Sequence, residues 1–443
     1  MISRISGSYW LSKGLLVLMS QLSNLIFGFL NFYFLLRLLS KYDYGVWTLF
    51  ISVITFFELI KNGFIVSPLV RYLIDSKKEE HDVIQSSSLG LNGIFAFFQI
   101  AVAFGVSIFI EGVWVDNDLK YLFLVLIFSI ILQVPLTHFS GIQQAHMNFK
   151  ANLYSNLTRQ FSLFVSIMFF YLGYWQTTLF KLGIAYVCSV LLAVIVAYAH
   201  FQKYRMGSFR ISKDWFSRLF VYGKYTFGTN ISSMVLRSVD TWMLGALISP
   251  VAVTIYNPAV RIANIIEVPT VSLSSVFFPK LLSRYSAEGD VVAKDLYEKS
   301  VGALLALLFP VVVVIFIFSE GIIYFVAGDG FEETVDVLRV TMLTGLIIPF
   351  NRQIGVMLDA IGKAKVSFSF VLRNALINIV LCYFFVLQFG VIGAAYAMLT
   401  TFCLSFGYNQ WYVSRNYNIS LGNIFKFSLG YYRQFFKRVF FLS

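Results

Sequence analysis

The feature that most constrains this chain is a set of long sequence windows without a single charged residue. Each window meets the roughly 20 residues that an apolar helix needs to cross the hydrocarbon core of a bilayer. The windows cover residues 14–36, 83–110, 160–180, 182–202, 300–319 and 374–414. The last one spans 41 residues and must therefore contain most of two helices. The chain is predicted to be an all-α polytopic membrane protein.

Composition supports helices in lipid over other arrangements. Hydrophobic residues make up 58% of the chain and charged residues 13%, whereas soluble domains are about one quarter charged. The apolar runs are continuous and lack the alternation of outer-membrane barrel strands. The first run is also too long for the core of a cleaved signal peptide, so it is expected to stay in the mature protein.

Breaking the chain at charged and turn-rich stretches predicts twelve transmembrane helices. They lie near residues 12–37, 45–71, 83–110, 120–144, 152–172, 179–201, 220–246, 252–279, 298–319, 336–360, 366–387 and 390–412. If the N-terminus is cytoplasmic, 23 of the 34 Lys and Arg residues fall in cytoplasmic segments. This is the positive-inside pattern, and it predicts that both termini are cytoplasmic. Topology and anionic inner-leaflet lipid then explain the net charge of +12, so nucleic acid is not an expected partner.

An internal repeat divides the predicted helices into two sets. A shift of 209 residues superposes Leu39-Ser40 on Ile248-Ser249 and Glu58 on Glu267. The same shift aligns Ser20, Asn24, Gly28 and Asn31 with Thr229, Ser233, Arg237 and Asp240. Two six-helix bundles of the same topology are expected to be parallel pseudo-repeats around a central cavity. The predicted parts are an N-terminal bundle (1–201), a basic cytoplasmic linker (202–219), a C-terminal bundle (220–413) and a basic cytoplasmic tail (414–443).

The tail has two interpretations. As a helix, it would carry Lys426, Arg433 and Lys437 on one face, with Phe425 and Leu429 about a quarter-turn away. Such a helix could lie on the anionic inner leaflet. A loosely ordered basic tail explains the same composition equally well.

Ten ionisable residues lie inside predicted helices, where each costs at least ~2.5 kcal/mol at a helix centre. They are Lys61, Arg159, Arg237, Arg261, Arg352, Arg373, Glu58, Asp240, Glu267 and Asp359. Spacing suggests three internal ion pairs, because the two members of each pair can share a helical face. The pairs are Glu58 with Lys61, Arg237 with Asp240, and Arg352 with Asp359. One interpretation is purely structural, with packing pairs and cations near helix ends such as Arg159 and Arg373. Because basic residues outnumber the acids, an anionic ligand is the alternative.

Asparagines accompany several of these arginines. Asn257, Arg261 and Asn264 share one helical face, and Arg373 and Asn374 lie near Asn378 in sequence. Guanidinium groups bind phosphate in a bidentate manner, and amides donate and accept hydrogen bonds with sugar hydroxyls. The three cysteines and four histidines are scattered, so no metal site and no cofactor are expected.

Six segments carry family-like motifs in a consistent order. They are Trp10–Gly45, Arg237–Gly245, Tyr256–Arg261, Phe278–Lys280, Leu358–Lys365 and Gly390–Ala395. Together they resemble the polysaccharide transporter family, the flippases of O-antigen and capsule repeat units. This family belongs to the multidrug/oligosaccharidyl-lipid/polysaccharide exporter superfamily. The resemblance covers nearly the whole chain.

The resemblance implies a V-shaped pair of bundles whose cavity opens alternately to each side of the membrane. It implies that the substrate is an undecaprenyl-pyrophosphate-linked oligosaccharide in the bacterial inner membrane, and that the transporter contacts the polysaccharide polymerase machinery. The lipid II flippase branch typically has two further C-terminal helices, so the twelve predicted helices and basic tail are expected to count against that branch.

The residues and the resemblance together give a set of candidate site residues. Pyrophosphate is expected at Arg237 and Arg261, helped by Arg352, Arg373 and Lys61. Sugars are expected at Asn24, Asn31, Asn257 and Asn378. The sequence has no phosphate-binding P-loop, so an H⁺ or Na⁺ gradient is the expected energy source. The candidate carriers are Asp240, Glu267, Glu58 and Asp359.

Two other function classes compete with the flippase. A cation-driven drug exporter on the same fold would favour a lone acid in a cavity with few basic residues. A membrane-embedded polymerase or acyltransferase would favour a large external loop or clustered His and Asp residues. Neither pattern is evident in this sequence, and no enzymatic activity is expected.

Overall fold

The computed structural model describes residues 7–111, 117–204 and 206–440; within these ranges it describes only the backbone of some residues, including 225–233 and Arg237. The described residues form helices and connecting loops, with no β-strand. Eight of the described helical segments are long and apolar enough to cross a membrane. They are Lys41–Asp75, Lys78–Gly105, Leu124–Ala145, Leu179–Tyr204, Pro250–Ser274, Glu288–Ile317, Ala364–Phe389 and Val391–Tyr417.

The chain forms two compact units, residues 1–234 and 235–443. The first contains α1 (Gly7–Leu38), α2 (Lys41–Lys61), α3 (Ser67–Asp75), α4 (His81–Glu111), α5 (Asn117–Ala145), α6 (Phe149–Tyr171) and α7 (Leu179–Phe201). A π-helix at Asn62–Val66 joins α2 to α3, and short 3-10 turns lie at Lys78–Glu80 and Gln202–Tyr204. The boundary between the units falls inside α8 (Lys213–Leu247). This helix begins within the predicted linker, whose role as a joint stays a prediction.

The second unit continues with α9 (Pro250–Ala263), α10 (Glu267–Ile317), α11 (Ser319–Ala327), α12 (Glu332–Thr344), α13 (Ile348–Ala360), α14 (Ala364–Phe389), α15 (Val391–Tyr417) and α16 (Leu421–Phe440). A 3-10 turn at Asn264–Ile266 joins α9 to α10. Helix α10 is broken at Gly289, where φ is 60° and ψ is −145°. The predicted single span at 336–360 is instead two helices, α12 and α13, separated by a short connection.

The long uncharged stretch 374–414 divides as its length predicts. Helix α14 ends at Phe389 and α15 begins at Val391. Gly390 lies between them with φ 66°, a left-handed conformation that glycine adopts without the Cβ clash of other residues. The prediction that this stretch contains most of two helices is confirmed.

Two helices that the 209-residue shift aligns begin with the same kind of side-chain cap, while the repeat of two bundles stays a prediction. The hydroxyl of Ser40 accepts a hydrogen bond from the Asp43 backbone N–H at the start of α2. The hydroxyl of Ser249, 209 residues later, accepts one from the Ala252 N–H at the start of α9. Side-chain caps of this kind satisfy backbone N–H groups that have no partner within the helix. The two copies therefore share local geometry as well as residue type.

The tail is an ordered helix packed on its own unit. On α16, Ile424 is fully buried, and the Tyr432 hydroxyl donates a 2.6 Å hydrogen bond to the Ala306 carbonyl of α10. Close contact of the two helices depends on Gly302, because a Cβ there would lie 2.9 Å from the Cβ of Phe427. The loosely ordered tail is therefore not what the structure shows. Lys426 and Arg433 are exposed on α16, whereas the Lys437 side chain lies outside the described residues.

Candidate functional site

Two helices of the N-terminal unit place polar side chains along one face each. On α5, the polar positions Gln133, Thr137, Ser140 and Gln144 recur at helical spacing. On α6, Asn152, Asn156 and Arg159 do the same. Residues three, four or seven apart lie on the same side of an α-helix. Both helices thus combine a polar stripe with an apolar remainder.

These stripes line an open cavity of about 270 Å³ in the N-terminal unit. Its walls come from α1, α2, the π-helix, α5, α6 and α7. The lining residues are Ser20, Glu58, Asn62, Val66, Gln133, Leu136, Thr137, Ser140, Gln144, Asn152, Ser155, Asn156, Arg159 and Ala193. Among the lining residues only Val66, Leu136 and Ala193 are apolar, so polar side chains contribute most of the positions around the cavity.

An ion pair crosses the cavity wall. The Arg159 guanidinium lies 2.8 Å from Oε1 of Glu58, and both side chains are about one quarter exposed. The amide of Gln133 donates to the same carboxylate oxygen at 3.2 Å. The charges of the lining residues therefore sum to zero.

The pairing of Glu58 with Lys61 expected from their spacing does not form. The Lys61 ammonium is fully buried and donates instead to the Ile130 carbonyl at 3.2 Å. Arg159, expected near a helix end as a snorkelling cation, is the partner of Glu58. Lys61 does not line the cavity.

The two predicted asparagines on α1 have different surroundings. Oδ1 of Asn24 accepts hydrogen bonds from Asn156 at 2.8 Å and from Gln160 at 3.1 Å. Asn24 therefore does not line the cavity itself, but it is hydrogen-bonded to the lining residue Asn156. The Asn31 side chain is buried, and its Oδ1 has no hydrogen-bond partner.

Two of the lining residues have hydrogen-bond acceptors without partners. Gln133 is 2% exposed, and its Oε1 has no partner. Oδ1 of Asn152 also has none, while its amide makes only a long 3.4 Å contact with the Ser140 carbonyl. Buried polar atoms are almost always satisfied in native proteins. Both oxygens are buried in the protein, as are further amide oxygens elsewhere, such as that of Gln143.

The C-terminal unit builds a different kind of cluster around Asp240. This carboxylate is 3% exposed and accepts hydrogen bonds from the Tyr256 hydroxyl and the Asn378 amide, both at 3.1 Å. The Thr401 hydroxyl donates to Oδ1 of Asn378 at 3.2 Å, and the Cys382 thiol lies beside the carboxylate. The side chain of Arg237, the expected partner of Asp240, lies outside the described residues. None of the described basic side chains forms an ion pair with Asp240.

A second group of bonded polar residues continues along α14 and α15. The guanidinium of Arg373 donates to Asn409 at 2.8 Å and lies 3.7 Å from the centre of the Tyr408 ring. The Asn409 amide donates to Asn351 at 3.1 Å, and Asn374 donates to Ser405 at 2.7 Å. Arg373 is therefore held by its own unit.

The remaining candidates of this unit are more scattered. Arg261 is half-buried and donates to Asn257 at 2.9 Å, as their shared face suggests. Arg352 and Asp359 are exposed on α13 and do not form the ion pair expected from their spacing. Glu267 is half-buried at the first position of α10. Among the described residues, no group of three or more His, Cys, Asp or Glu side chains is placed to hold a metal ion.

Within each unit, the structure brings only some candidates together. Asp240 joins Asn378, and Arg261 joins Asn257, whereas Glu58 joins Arg159, a residue that was not among the expected ligands. Sequence reasoning missed the neutral lining residues Gln133, Thr137, Ser140, Gln144, Asn152, Ser155 and Asn156. Their helical spacing on α5 and α6 was the available signal.

Comparison with known proteins agrees with the expected family. Residues 34–336, more than half of the 443-residue chain, match the family described as polysaccharide biosynthesis protein. The chain is similar to the "Putative O-antigen transporter" of Shigella flexneri, with 22% identity over 86% of this chain and 92% of that protein. It is also similar to the "Probable low-salt glycan biosynthesis flippase Agl15" of Haloferax volcanii, with 23% identity. That match spans 44% of this chain and 42% of the Haloferax protein.

Solved structures show the fold. The lipid II flippase MurJ in an inward closed conformation superposes with a TM-score of 0.77 at 17% identity, covering 95% of this chain and 90% of MurJ. An inward-facing multidrug resistance MATE family transporter of the MOP superfamily superposes with a TM-score of 0.75 at 14% identity, covering 89% of this chain and 95% of that one. These proteins are transporters and flippases rather than enzymes. The chain belongs to the polysaccharide biosynthesis protein family, is a multi-pass membrane protein, and shares the fold of these flippase and transporter structures.

Proposed function

We propose that this protein is a flippase for undecaprenyl-pyrophosphate-linked oligosaccharide repeat units. It moves them from the inner to the outer leaflet of the bacterial cytoplasmic membrane for O-antigen, capsule or exopolysaccharide assembly. Twelve transmembrane helices in two six-helix bundles, with both termini cytoplasmic, would alternate access to a substrate site. The observation that carries the proposal is the open cavity of the N-terminal unit, which is lined mostly by polar residues and placed among helices that are otherwise suited to lipid. A polar headgroup that must cross hydrocarbon requires such a surface.

The anionic part of the substrate is assigned to arginines of the C-terminal unit. Arg261 is half-buried and oriented by Asn257, and Arg352 is exposed on α13. Fork-shaped guanidinium groups suit pyrophosphate oxygens, and Arg237 completes the proposed set. Arg373 has the weakest support, because its guanidinium already bonds to Asn409 and stacks on Tyr408. Lys61 has little support for the same reason, since it is buried against the Ile130 carbonyl.

Asp240 is the best supported of the four proposed ion carriers. A carboxylate within the membrane is costly unless it has a function or a partner, and the described partners of Asp240 are neutral. Its surroundings offer oxygen atoms from Asn378, Thr401 and Tyr256, which suit either a proton or Na⁺. Glu58 has less support, because the Arg159 guanidinium already neutralises it.

Flipping of a labelled lipid tests the proposal. The full chain is reconstituted in liposomes with undecaprenyl-pyrophosphate linked to a fluorescent oligosaccharide, and a glycosidase added outside reports glycan exposure. We expect an imposed H⁺ or Na⁺ gradient to accelerate exposure above the rate of empty liposomes. Arg261→Gln and Arg352→Gln should slow it at least tenfold. Arg284→Gln should not, because Arg284 is exposed and paired with Glu288. Gradient-driven transport of ethidium without any lipid flipping would instead assign the chain to the drug exporters.

A further inference from the structure

The first turn of the last helix, α16, is fixed to α10 by a buried acid. The Glu298 carboxylate is 3% exposed. It accepts hydrogen bonds from the Ser420 backbone N–H at 2.8 Å and from the Asn423 amide at 3.1 Å. A carboxylate in this position also compensates the partial positive charge at the N-terminus of a helix. The start of α16 is therefore held beside residue 298 of α10.

Two further contacts show the direction in which α16 runs. A Cβ at Gly302 would lie 2.9 Å from the Cβ of Phe427, and the Ala306 carbonyl accepts the hydrogen bond of the Tyr432 hydroxyl. From Glu298 onwards, residue numbers thus rise together along the two helices. Helix α16 therefore lies alongside the second half of α10 and points in the same direction.

The part of α10 beside α16 belongs to a segment suited to the membrane. Residues 300–319 carry no charge, and Glu288–Ile317 is the most apolar of the eight described segments that could cross a membrane. Ala306 lies six residues, or ~9 Å, inside the uncharged stretch, and one leaflet contributes about half of the ~30 Å hydrocarbon core. The predicted topology places this end of α10 on the cytoplasmic side. Helix α16 thus enters the inner leaflet instead of lying flat on its surface.

The outer side of α16 carries two cations along this path. Lys426 and Arg433 are seven residues apart, on the same side of the helix, and both are exposed. Neither forms an ion pair with an acidic side chain that the structure describes. A charge beside hydrocarbon is costly unless it finds a partner or reaches the interface. Both cations can reach it, because helical side chains tilt towards the N-terminus of their helix, which here is the side of the headgroups.

We propose that this side of α16 binds anionic phospholipids of the inner leaflet. Lys426 and Arg433 contact the headgroup phosphates, and the exposed side chains of Phe425 and Leu429 pack against the acyl chains. Cations beside apolar side chains on one exposed surface match a ligand that has an anionic headgroup and a hydrocarbon tail. The inference does not rest on the proposed flippase function, because it requires only that the chain is inserted in a membrane.

Two spin labels on one side of α16 test its orientation. Gly422 and Leu429 are exposed and seven residues apart, so a helix lying flat would hold both labels at the same depth. Each is changed to Cys in the full chain after the exposed Cys188 and Cys403 are replaced by Ala, while the buried Cys382 is kept. Electron paramagnetic resonance in nanodiscs, with O₂ and a nickel chelate as relaxing agents, reports depth. We expect the label at 429 to lie several ångströms deeper, up to about 10 Å. Equal depths would overturn the inserted orientation.

Native mass spectrometry of the full chain tests the ligand. The protein is given an equimolar mixture of phosphatidylglycerol and phosphatidylcholine. We expect the wild type to retain phosphatidylglycerol preferentially, and the double variant Lys426→Gln with Arg433→Gln to reduce that preference at least fivefold. The matched control, Arg218→Gln with Arg284→Gln, also removes two exposed cations, but from pairs outside α16, and should bind as wild type. Thermal unfolding checks that both double variants fold.

Three results would overturn the lipid site. The first is a double variant of α16 that keeps the wild-type preference for phosphatidylglycerol. The second is an equal loss in the control, which would show that net charge, not this surface, attracts the lipid. The third is retention of added undecaprenyl-pyrophosphate in place of phosphatidylglycerol, which would assign the surface to a polyprenyl lipid. The flippase proposal is tested separately by the liposome assay, so failure of one does not decide the other.

Discussion

The two units treat their buried polar groups in contrasting ways. In the N-terminal unit, polar side chains of α5 and α6 surround an open space and leave acceptors unused. In the C-terminal unit, Asp240, Tyr256, Asn378 and Thr401 bond directly to one another. The first arrangement resembles a binding cavity, whereas the second resembles a packed polar core. The C-terminal unit also has buried amide oxygens without a partner, on Gln353 and Asn374, so the two units differ in the open space and not in the presence of unpaired acceptors.

Glu58 of the N-terminal unit and Asp240 of the C-terminal unit differ in how the protein compensates their negative charge. Glu58 has a cation at 2.8 Å, so its charge is compensated within the protein. Asp240 has neutral hydrogen-bond donors from its described neighbours. The predicted repeat aligns Glu58 with another acid, Glu267. It aligns Asp240 with Asn31, a neutral residue that is likewise buried. The aligned helices α2 and α9 share a serine cap, whereas the charge at Asp240 has no counterpart at Asn31.

The largest expected effect concerns Asp240. Asp240→Asn keeps the size of the side chain and leaves Tyr256 and Asn378 able to bond to it, so folding should be retained. Transport driven by an ion gradient should fall at least about a hundredfold, since an amide neither exchanges a proton nor balances a cation near neutral pH. Flipping rates with and without an imposed gradient, in liposomes of matched protein content, measure this. Unchanged gradient dependence would remove Asp240 from the coupling site and leave it a structural residue.

Breaking the ion pair of the N-terminal unit should affect stability more than any neutral change there. Arg159→Met leaves the Glu58 carboxylate without its cation in a partly buried site. The expected loss in free energy of unfolding is about 2 kcal/mol, between the values typical of exposed and buried pairs. The double variant Glu58→Gln with Arg159→Met should recover part of that loss. Chemical denaturation in detergent micelles measures all three. A double variant no more stable than Arg159→Met would argue that packing, not charge, accounts for the effect.

Sequence reasoning succeeded where hydrophobic length decides the structure. The division of 374–414 into two helices followed from length alone, and Gly390 provides the break. It failed where partners are distant in sequence. Glu58 is three residues from Lys61, yet it pairs with Arg159, 101 positions away, because the tertiary fold brings the Arg159 guanidinium within 2.8 Å of its carboxylate.

The cavity was missed because attention to charge overlooks neutral polar residues. Helix α6 has 23 residues, but it is absent from the eight described helices that are long and apolar enough to cross a membrane. The polar stripe of Asn152, Asn156 and Arg159 lowers its hydropathy. A helix that is lipid-like on one side and polar on the other is what a cavity wall requires. A helix that is long enough to span the membrane but has low mean hydropathy therefore marks a cavity wall. This signal can be read from the amino-acid sequence alone.

A matched pair of asparagines sharpens the contrast between the units. Asn378→Leu removes a donor to the buried Asp240 carboxylate, which should cost about 1.5 kcal/mol, near the upper end for hydrogen bonds between membrane helices. Asn152→Leu removes a side chain that makes only a 3.4 Å contact, and it should change stability by less than about 0.5 kcal/mol. The same denaturation assay compares them. Equal losses would mean that the Asn152 carbonyl has a structural partner.

The last comparison tests what the two units have in common. Ser40→Ala and Ser249→Ala each remove a side-chain cap at equivalent positions of the repeat, where the hydroxyls accept from Asp43 and Ala252 at 3.1 and 3.3 Å. Each should cost about 1 kcal/mol, the usual value for an N-cap, with Ser40 slightly the larger. Ser40 also donates to the Asp43 carboxylate at 2.7 Å, forming a second local bond. Because the caps lie far apart in sequence and in different units, the two losses should add in the double variant. A clearly non-additive loss would show that the units do not unfold as independent copies, and the stability of each cap would then be a property of the whole chain.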